Sequence, residues 1–127
     1  VLARFLLHSL QQFITEKTNI MKDTVKEKKH AVDHKFRDNK EARRYEMDLD
    51  DGYIALINYF VTPSGDIALT HTEVPYEFEG MGIGTELVEK CLEDIKDKGA
   101  KVIPQCGFVA SYIRRHPQWQ DMVARRY

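Results

Sequence analysis

At 127 residues the chain has room for one domain with one modest core. Hydrophobic residues make up 43% and charged residues 31%, and with four prolines and seven glycines this excludes a collagen-like or largely disordered chain. No stretch approaches the roughly 18 uncharged apolar residues of a membrane span. Two cysteines are too few for a disulfide scaffold, so a reduced cytoplasmic protein without a membrane partner is the simpler expectation.

A net charge of -1 hides a pattern. Residues 1–30 carry six Lys/Arg and three Asp/Glu, residues 31–100 eight against sixteen, and residues 101–127 five against one. An acidic middle argues against a nucleic-acid partner. The basic C-terminal segment suits either a small anion or a solvated surface.

In chain order, residues 1–30 read as a leader or an extra helix. Leu2, Leu6, Leu10, Phe13 and Ile14 recur at helical spacing, while His8, Ser9, Gln11 and Gln12 break any signal-peptide core. Met21 is a candidate start, and no chemistry is assigned upstream of it. From residue 31 a single domain is expected to run to residue 127. Val32, His34 and Phe36 alternate with polar neighbours as a first strand, and Arg37-Asp38-Asn39-Lys40 reads as a turn. Tyr45, Met47 and Leu49 mark a second strand and Asp50-Asp51-Gly52 a turn. Tyr53 to Val61 reads as a central strand buried on both faces. Pro63-Ser64-Gly65-Asp66 is a hairpin turn, and Ile67 to Val74 a fourth strand, which completes an antiparallel meander.

After Pro75 a loop ends in Gly80-Met81-Gly82-Ile83-Gly84. Ile83, Leu87, Val88, Cys91, Leu92 and Ile95 then form one helical stripe, with Glu86–Lys90 and Asp94–Lys98 pairs on the wet side and Gly99 as the stop. Lys101 to Pro104 is a short strand. Phe108 to Arg115 is a short helix ended by Pro117. Tyr112 and Trp119 read as packing residues.

The glycine loop is the most informative feature. Glycine lets a ligand approach the backbone N–H groups, and a helix N-terminus adds unpaired donors and partial positive charge. Together they suit a phosphate; a tight strand-to-helix turn is the alternative. Ile83-Gly84-Thr85 lacks the Lys of a nucleoside-triphosphate loop, and Leu87 or Thr85 stands where a dinucleotide loop needs its third glycine. His30 and His34 have an i, i+4 spacing that suits a metal only on a helix, and with His34 on a strand and no C-x-x-C, no metal is expected.

Glu79-Gly80-Met81-Gly82-Ile83-Gly84 resembles the acyl-CoA pyrophosphate loop of the GCN5-related N-acetyltransferases, Arg/Gln-x-x-Gly-x-Gly/Ala. With His71-Thr72-Glu73-Val74-Pro75, Val102-Ile103-Pro104-Gln105-Cys106 and Phe108 through Tyr112-Ile113-Arg114-Arg115-His116-Pro117, the chain resembles more narrowly the small, single-domain family typified by bacterial YjdJ proteins. The resemblance runs from about Val32 to Val123. It implies a reduced α+β fold: a mostly antiparallel mixed sheet with its fourth and fifth strands splayed, one main helix after the glycine loop and a short C-terminal helix. It implies acetyl-CoA as cofactor and an unidentified amine as acceptor. Val74 and Pro75, with Glu73, would meet the pantetheine arm, and Gly80, Met81, Gly82, Ile83, Gly84 and Thr85 the pyrophosphate. Arg114, Arg115 and His116 would reach the nucleotide end. Cys106 falls where this small family carries a cysteine suspected of a catalytic role.

Three departures stand out. Glu79 replaces Arg/Gln, so its carboxylate is expected to turn from the phosphates. Gly107 stands where relatives often have Pro. Only a turn separates the first two strands, where longer acetyltransferases place two helices that shape the acceptor site.

Acetyl transfer needs an uncharged amine, a donor for the developing oxyanion and a proton for the leaving thiolate. A backbone N–H of the fourth strand suits the second role. Cys106 suits covalent acceptance of the acetyl group or protonation of the CoA sulfur, unless it is a buried strand-closing residue. Cys91 sits on the apolar stripe and reads as core. His71, in phase with Ile67 and Leu69, is either a base or a core histidine, and Glu73 shares its face as the other candidate base. A CoA-binding module with little turnover, and a Cys106 thioester hydrolase, are the competing expectations.

Overall fold

Apolar–polar alternation between residues 36 and 73 generates strands that pair in sequence order. The structure, a computed structural model, describes residues 33–125; the expected N-terminal helix lies outside them. Strands β1 (Phe36–Asn39), β2 (Arg44–Asp48), β3 (Ile54–Val61) and β4 (Ile67–Glu73) form the antiparallel meander, and β5 (Val102–Pro104) joins β4 in parallel. Helix α1 (Ile83–Asp97) makes the β4-to-β5 crossover, and α2 (Gly107–Arg115) follows β5. A 3₁₀ turn over Pro117–Met122, not anticipated from sequence, brings Val123 into a parallel bridge with Val102. The α+β architecture expected of the resemblance is the one observed.

The stripe of α1 packs as expected: Leu87, Val88, Cys91, Leu92 and Ile95 are fully buried with Tyr45, Met47, Ala55, Ile57 and Leu69 of the sheet. Burial pushes the Cys91 thiol well above its ordinary pKa, so it is an inert core residue. Both i, i+4 pairs form, Glu86–Lys90 at 3.2 Å and Asp94–Lys98 at 2.7 Å. Asp94 also accepts from the Tyr45 hydroxyl at 2.8 Å, which fixes the C-terminal half of α1 to β2.

Two sequence expectations shift. Arg37, Asp38 and Asn39 are not a turn but most of β1; the turn is residues 40–43, closed by the Arg43 N–H on the Lys40 carbonyl. These polar residues mimic a turn because they serve cross-strand pairing. Arg37 stands opposite Glu46, and Asn39 opposite Arg44. Likewise β3 is buried on both faces only over Ala55–Ile57, since its end runs past the core and leaves Phe60 and Val61 exposed at 41% and 59%.

Glu46 is the one buried charged side chain among the described residues. It accepts from Arg37 Nε at 2.8 Å, from Arg44 Nε, and from Asn39 Nδ2 at 3.2 Å. Burial alone would raise its carboxyl pKa; the bonds from Arg44, Arg37 and Asn39 outweigh that and hold it below the usual range. A depressed folded-state pKa adds stability that is present above the unfolded value near 4.3 and fades as pH falls through the folded one. Glu46→Gln is therefore expected to lose about 1–3 kcal/mol at pH 7. Its denaturant midpoint should also change less than wild type between pH 5 and 3.

Two irregularities of β4 create the site. The β3 register passes from Asn58↔His71 to Tyr59↔Leu69, so Thr70 is an extra, bulged residue; its hydroxyl donates to the Asn58 carbonyl at 3.2 Å. The bulge reverses the facing of the residues beyond it. Ile67 and Leu69 face α1, but after the bulge it is Val74 that packs against the same core. Pairing with β5 also ends early, at Leu69↔Pro104, with a last bond from the Cys106 N–H to the Leu69 carbonyl at 2.9 Å. From there β4 continues to Glu73 without a β5 partner, which is the splay expected of the resemblance.

Candidate functional site

The parted ends of β4 and β5 leave a cleft of about 610 Å³. Thr72, Glu73, Val74 and Pro75 line one wall, Cys106 and Phe108 the other, and Glu79 and Gly80 the end that leads into the glycine loop. Glu79, expected to turn away, is exposed at this border.

Gly80 and Gly82 adopt φ of 77° and 80°, the left-handed region where a Cβ is strained. Gly82 is the N-cap of α1, and the first intrahelical bond runs from the Glu86 N–H to its carbonyl at 3.1 Å. The N–H groups of Gly82, Ile83, Gly84 and Thr85 thus have no intrahelical acceptor, the arrangement that attracts an anion. Met81 and Thr85 are exposed at this end of the helix, whereas Ile83 and Gly84 are buried.

Cys106 is the N-cap of α2, half-buried, with its Sγ 3.3 Å from Thr72 Oγ1. Partial burial pushes its thiol pKa up. The Thr72 hydroxyl and the amides of Val109, Phe108 and Thr72 more than reverse this, and the thiol lies below its ordinary value. In the sequence Thr72 stands out only as part of a motif; the polar run Thr70-His71-Thr72 after three apolar residues is the signal that could have marked both the bulge and this partner.

His71 is not a core histidine. In-phase counting from Ile67 fails at the bulge, and the side chains of His71 and Glu73 are 56% and 60% exposed, joined by a bond of 3.1 Å from Nε2 to Oε1. They do share a face, and both border the cleft. His34 is not on a strand either. It precedes β1, and its Nδ1 bonds the Glu86 carboxylate at 2.9 and 3.0 Å while Lys90 Nζ donates to its carbonyl. Its ring is thereby committed to the first turns of α1; His30 lies outside the described residues.

Arg114, Arg115 and His116 are not brought to the cleft walls. They end α2, about 12 Å along the axis from Gly107 at 1.5 Å per residue. Arg114 and Arg115 are exposed, while His116 stacks on Tyr112 with ring centroids 4.0 Å apart and shares a hydrogen bond with the Tyr112 carbonyl. Tyr112 is buried and Trp119 packs against the core.

Residues 44–122 match the model of the GCN5-related N-acetyl-transferase family. The chain belongs to that family. The matched span takes in the bulge, Thr72, the glycine loop, Cys106 and all of α2. Among solved structures, the NMR structure of a GCN5-like protein from Staphylococcus aureus is similar in fold, with 22% identity and a TM-score of 0.56 over 71% of this chain and 87% of that one. No curated protein matches the sequence. For this acetyltransferase-family domain, the unpaired end of β4 and the first glycine of the loop before α1 line one cleft. No helix among the described residues is long and apolar enough to cross a membrane.

Proposed function

We propose that the protein is an acetyl-CoA-dependent N-acetyltransferase with an amine acceptor, of the small YjdJ-like type. The observation that carries this reading is the cleft that runs from Gly80, at the edge of the glycine loop that opens α1, along the unpaired β4 edge to Cys106. A diphosphate suits the first, the amide-rich pantetheine arm the second, and the thioester the third. Gly80 through Thr85 would hold the diphosphate; Val74 and Pro75 would flank the arm. When bound, acetyl-CoA supplies the activated acyl group.

The protein's residues supply the rest. His71, oriented by Glu73, takes a proton from the acceptor ammonium. The neutral amine attacks the thioester carbon, a β4 N–H stabilises the oxyanion, the C–S bond breaks as the C–N bond forms, and the nitrogen sheds its remaining extra proton to water to leave the amide. Cys106, its thiol pKa lowered, gives its proton to the departing CoA thiolate and regains one from solvent.

Calorimetric titration with CoA and acetyl-CoA, then incubation with an amine panel, tests the reading. Binding with amine-dependent release of CoA is expected; absence of binding overturns it. The second reading, a CoA-binding module, is favoured by one observation: only the turn at residues 40–43 joins β1 to β2, with no helix between them to shape an acceptor pocket. Binding without CoA release across the panel would select it.

Arg114 and Arg115 extend the proposal to the nucleotide end. Replacing both by Gln is expected to weaken CoA roughly tenfold more than dephospho-CoA, measured by the same titration. Equal weakening would remove them from the site.

A further inference from the structure

Gly84 differs in kind from the glycines before it. At Gly80 and Gly82 a Cβ would meet nothing within 4 Å, and the left-handed backbone explains the glycine. Gly84 has no such backbone: it is the second residue of α1 and buried. There a Cβ would lie 2.7 Å from Cζ and 3.0 Å from Cε1 of Phe108, closer than real Cβ atoms approach. The Phe108 ring therefore rests on the bare Cα of Gly84. Phe108 is nonetheless 41% exposed, because another part of its surface borders the cleft beside Cys106.

Phe108 and Val109 lie in the first turn of α2, whose amides have no intrahelical acceptor and open toward the N-cap Cys106, where they help to hold its thiol pKa down. Gly107 before Phe108 has open space around it and Val109 after it is fully buried in the core, so the ring on Gly84 is the contact this turn adds at the very start of α1. One residue thus links the helix start that faces the anion to the helix start that faces the sulfur.

We propose that Phe108 is a positioning residue for the Cys106 thiol, and that residue 84 is glycine to let its ring brace the first turn of α2 against α1. The inference rests on the site described under the proposed function, but its readout needs neither donor nor acceptor.

The test is the pH dependence of Cys106 alkylation by iodoacetamide, with mass analysis of the Cys106 peptide so that buried Cys91 does not contribute. His71, Glu73 and Glu79, the titratable groups that border the cleft with Cys106, stay in place in every variant. Gly84→Ala is expected to push the ring off, loosen the amides from the sulfur, raise the alkylation midpoint and slow alkylation at pH 7 severalfold. Phe108→Ala should raise the midpoint as well. In the Phe108→Ala background the added Gly84→Ala should have no further effect, because the methyl group then meets no ring. Phe108→Tyr should keep the wild-type profile. A wild-type midpoint in folded Gly84→Ala or in Phe108→Ala overturns the proposal, as does a Gly84→Ala shift that persists without the ring. A chain that fails to bind CoA yet shows the expected midpoints would retain this contact and lose the acetyltransferase reading.

Discussion

Gly82→Val is expected to bind CoA at least 100-fold more weakly than the wild type. Two effects act at this N-cap. Its φ of 80° is strained for any residue with a Cβ, by about 1–2 kcal/mol, so the loop is driven toward another conformation. The added side chain also enters space that is open in the structure, at the helix start where the N–H groups of residues 82–85 have no intrahelical acceptor. Hydrogen bonds from amides to a charged phosphate are worth about 1.5–3 kcal/mol each; loss of two reaches the 100-fold mark at 1.4 kcal/mol per decade. Strain alone is controlled by Gly65→Val. Gly65 has φ of 87° and equally open surroundings, but sits in the β3–β4 turn. Both variants should lose similar stability in denaturant, and only the first should lose CoA in a calorimetric titration. Equal affinity in folded Gly82→Val and wild type would remove the loop from the donor site.

How much of the molecule is legible in the sequence depends on what periodicity encodes. The stripe from Ile83 to Ile95 and the meander to Glu73 are repeated patterns of many residues, so a local error does not disturb them. The glycine loop is legible for a similar reason: Gly80 and Gly82 satisfy a backbone requirement that few residues meet. Single-residue events are not legible. One extra residue at Thr70 leaves the apolar–polar alternation looking continuous, yet it moves His71 out of phase with Leu69 and sends Thr72 toward Cys106 instead. The polar residues of β1 read as a turn because their partners, Glu46 and Arg44, are seen only once the strands pair. Gly84 looks like the third member of a phosphate motif; its dependence on Phe108, 24 residues away, exists only in three dimensions.

Cys106→Ala is expected to retain CoA binding within about twofold and to lower acetyl transfer by roughly 10²–10⁴, the range for removal of a general acid. The side chain is half-buried at a helix N-cap and its backbone N–H, which bonds the Leu69 carbonyl, is untouched by the change, so the strand end should persist. The companion Thr72→Val keeps the side-chain shape but withdraws the hydroxyl 3.3 Å from the sulfur. With that donor gone, the thiol pKa should rise toward its ordinary value, since partial burial then acts with less opposition. The sign matters. A lowered thiol pKa brings an acid closer in strength to what a departing thiolate needs, so raising it should slow transfer at neutral pH. It should also extend the alkaline limb of the rate profile, where the wild type has already lost the proton. A covalent acetyl-cysteine route predicts the opposite limb, because the nucleophile is the thiolate and its rate climbs as the proton leaves. Mass analysis after incubation with acetyl-CoA alone separates the two, since only the covalent route adds an acetyl group to Cys106 without an amine. Full transfer activity in Cys106→Ala would reduce the thiol to a packing residue at the strand end and leave His71 and Glu73 as the candidate proton-transfer groups on the cleft.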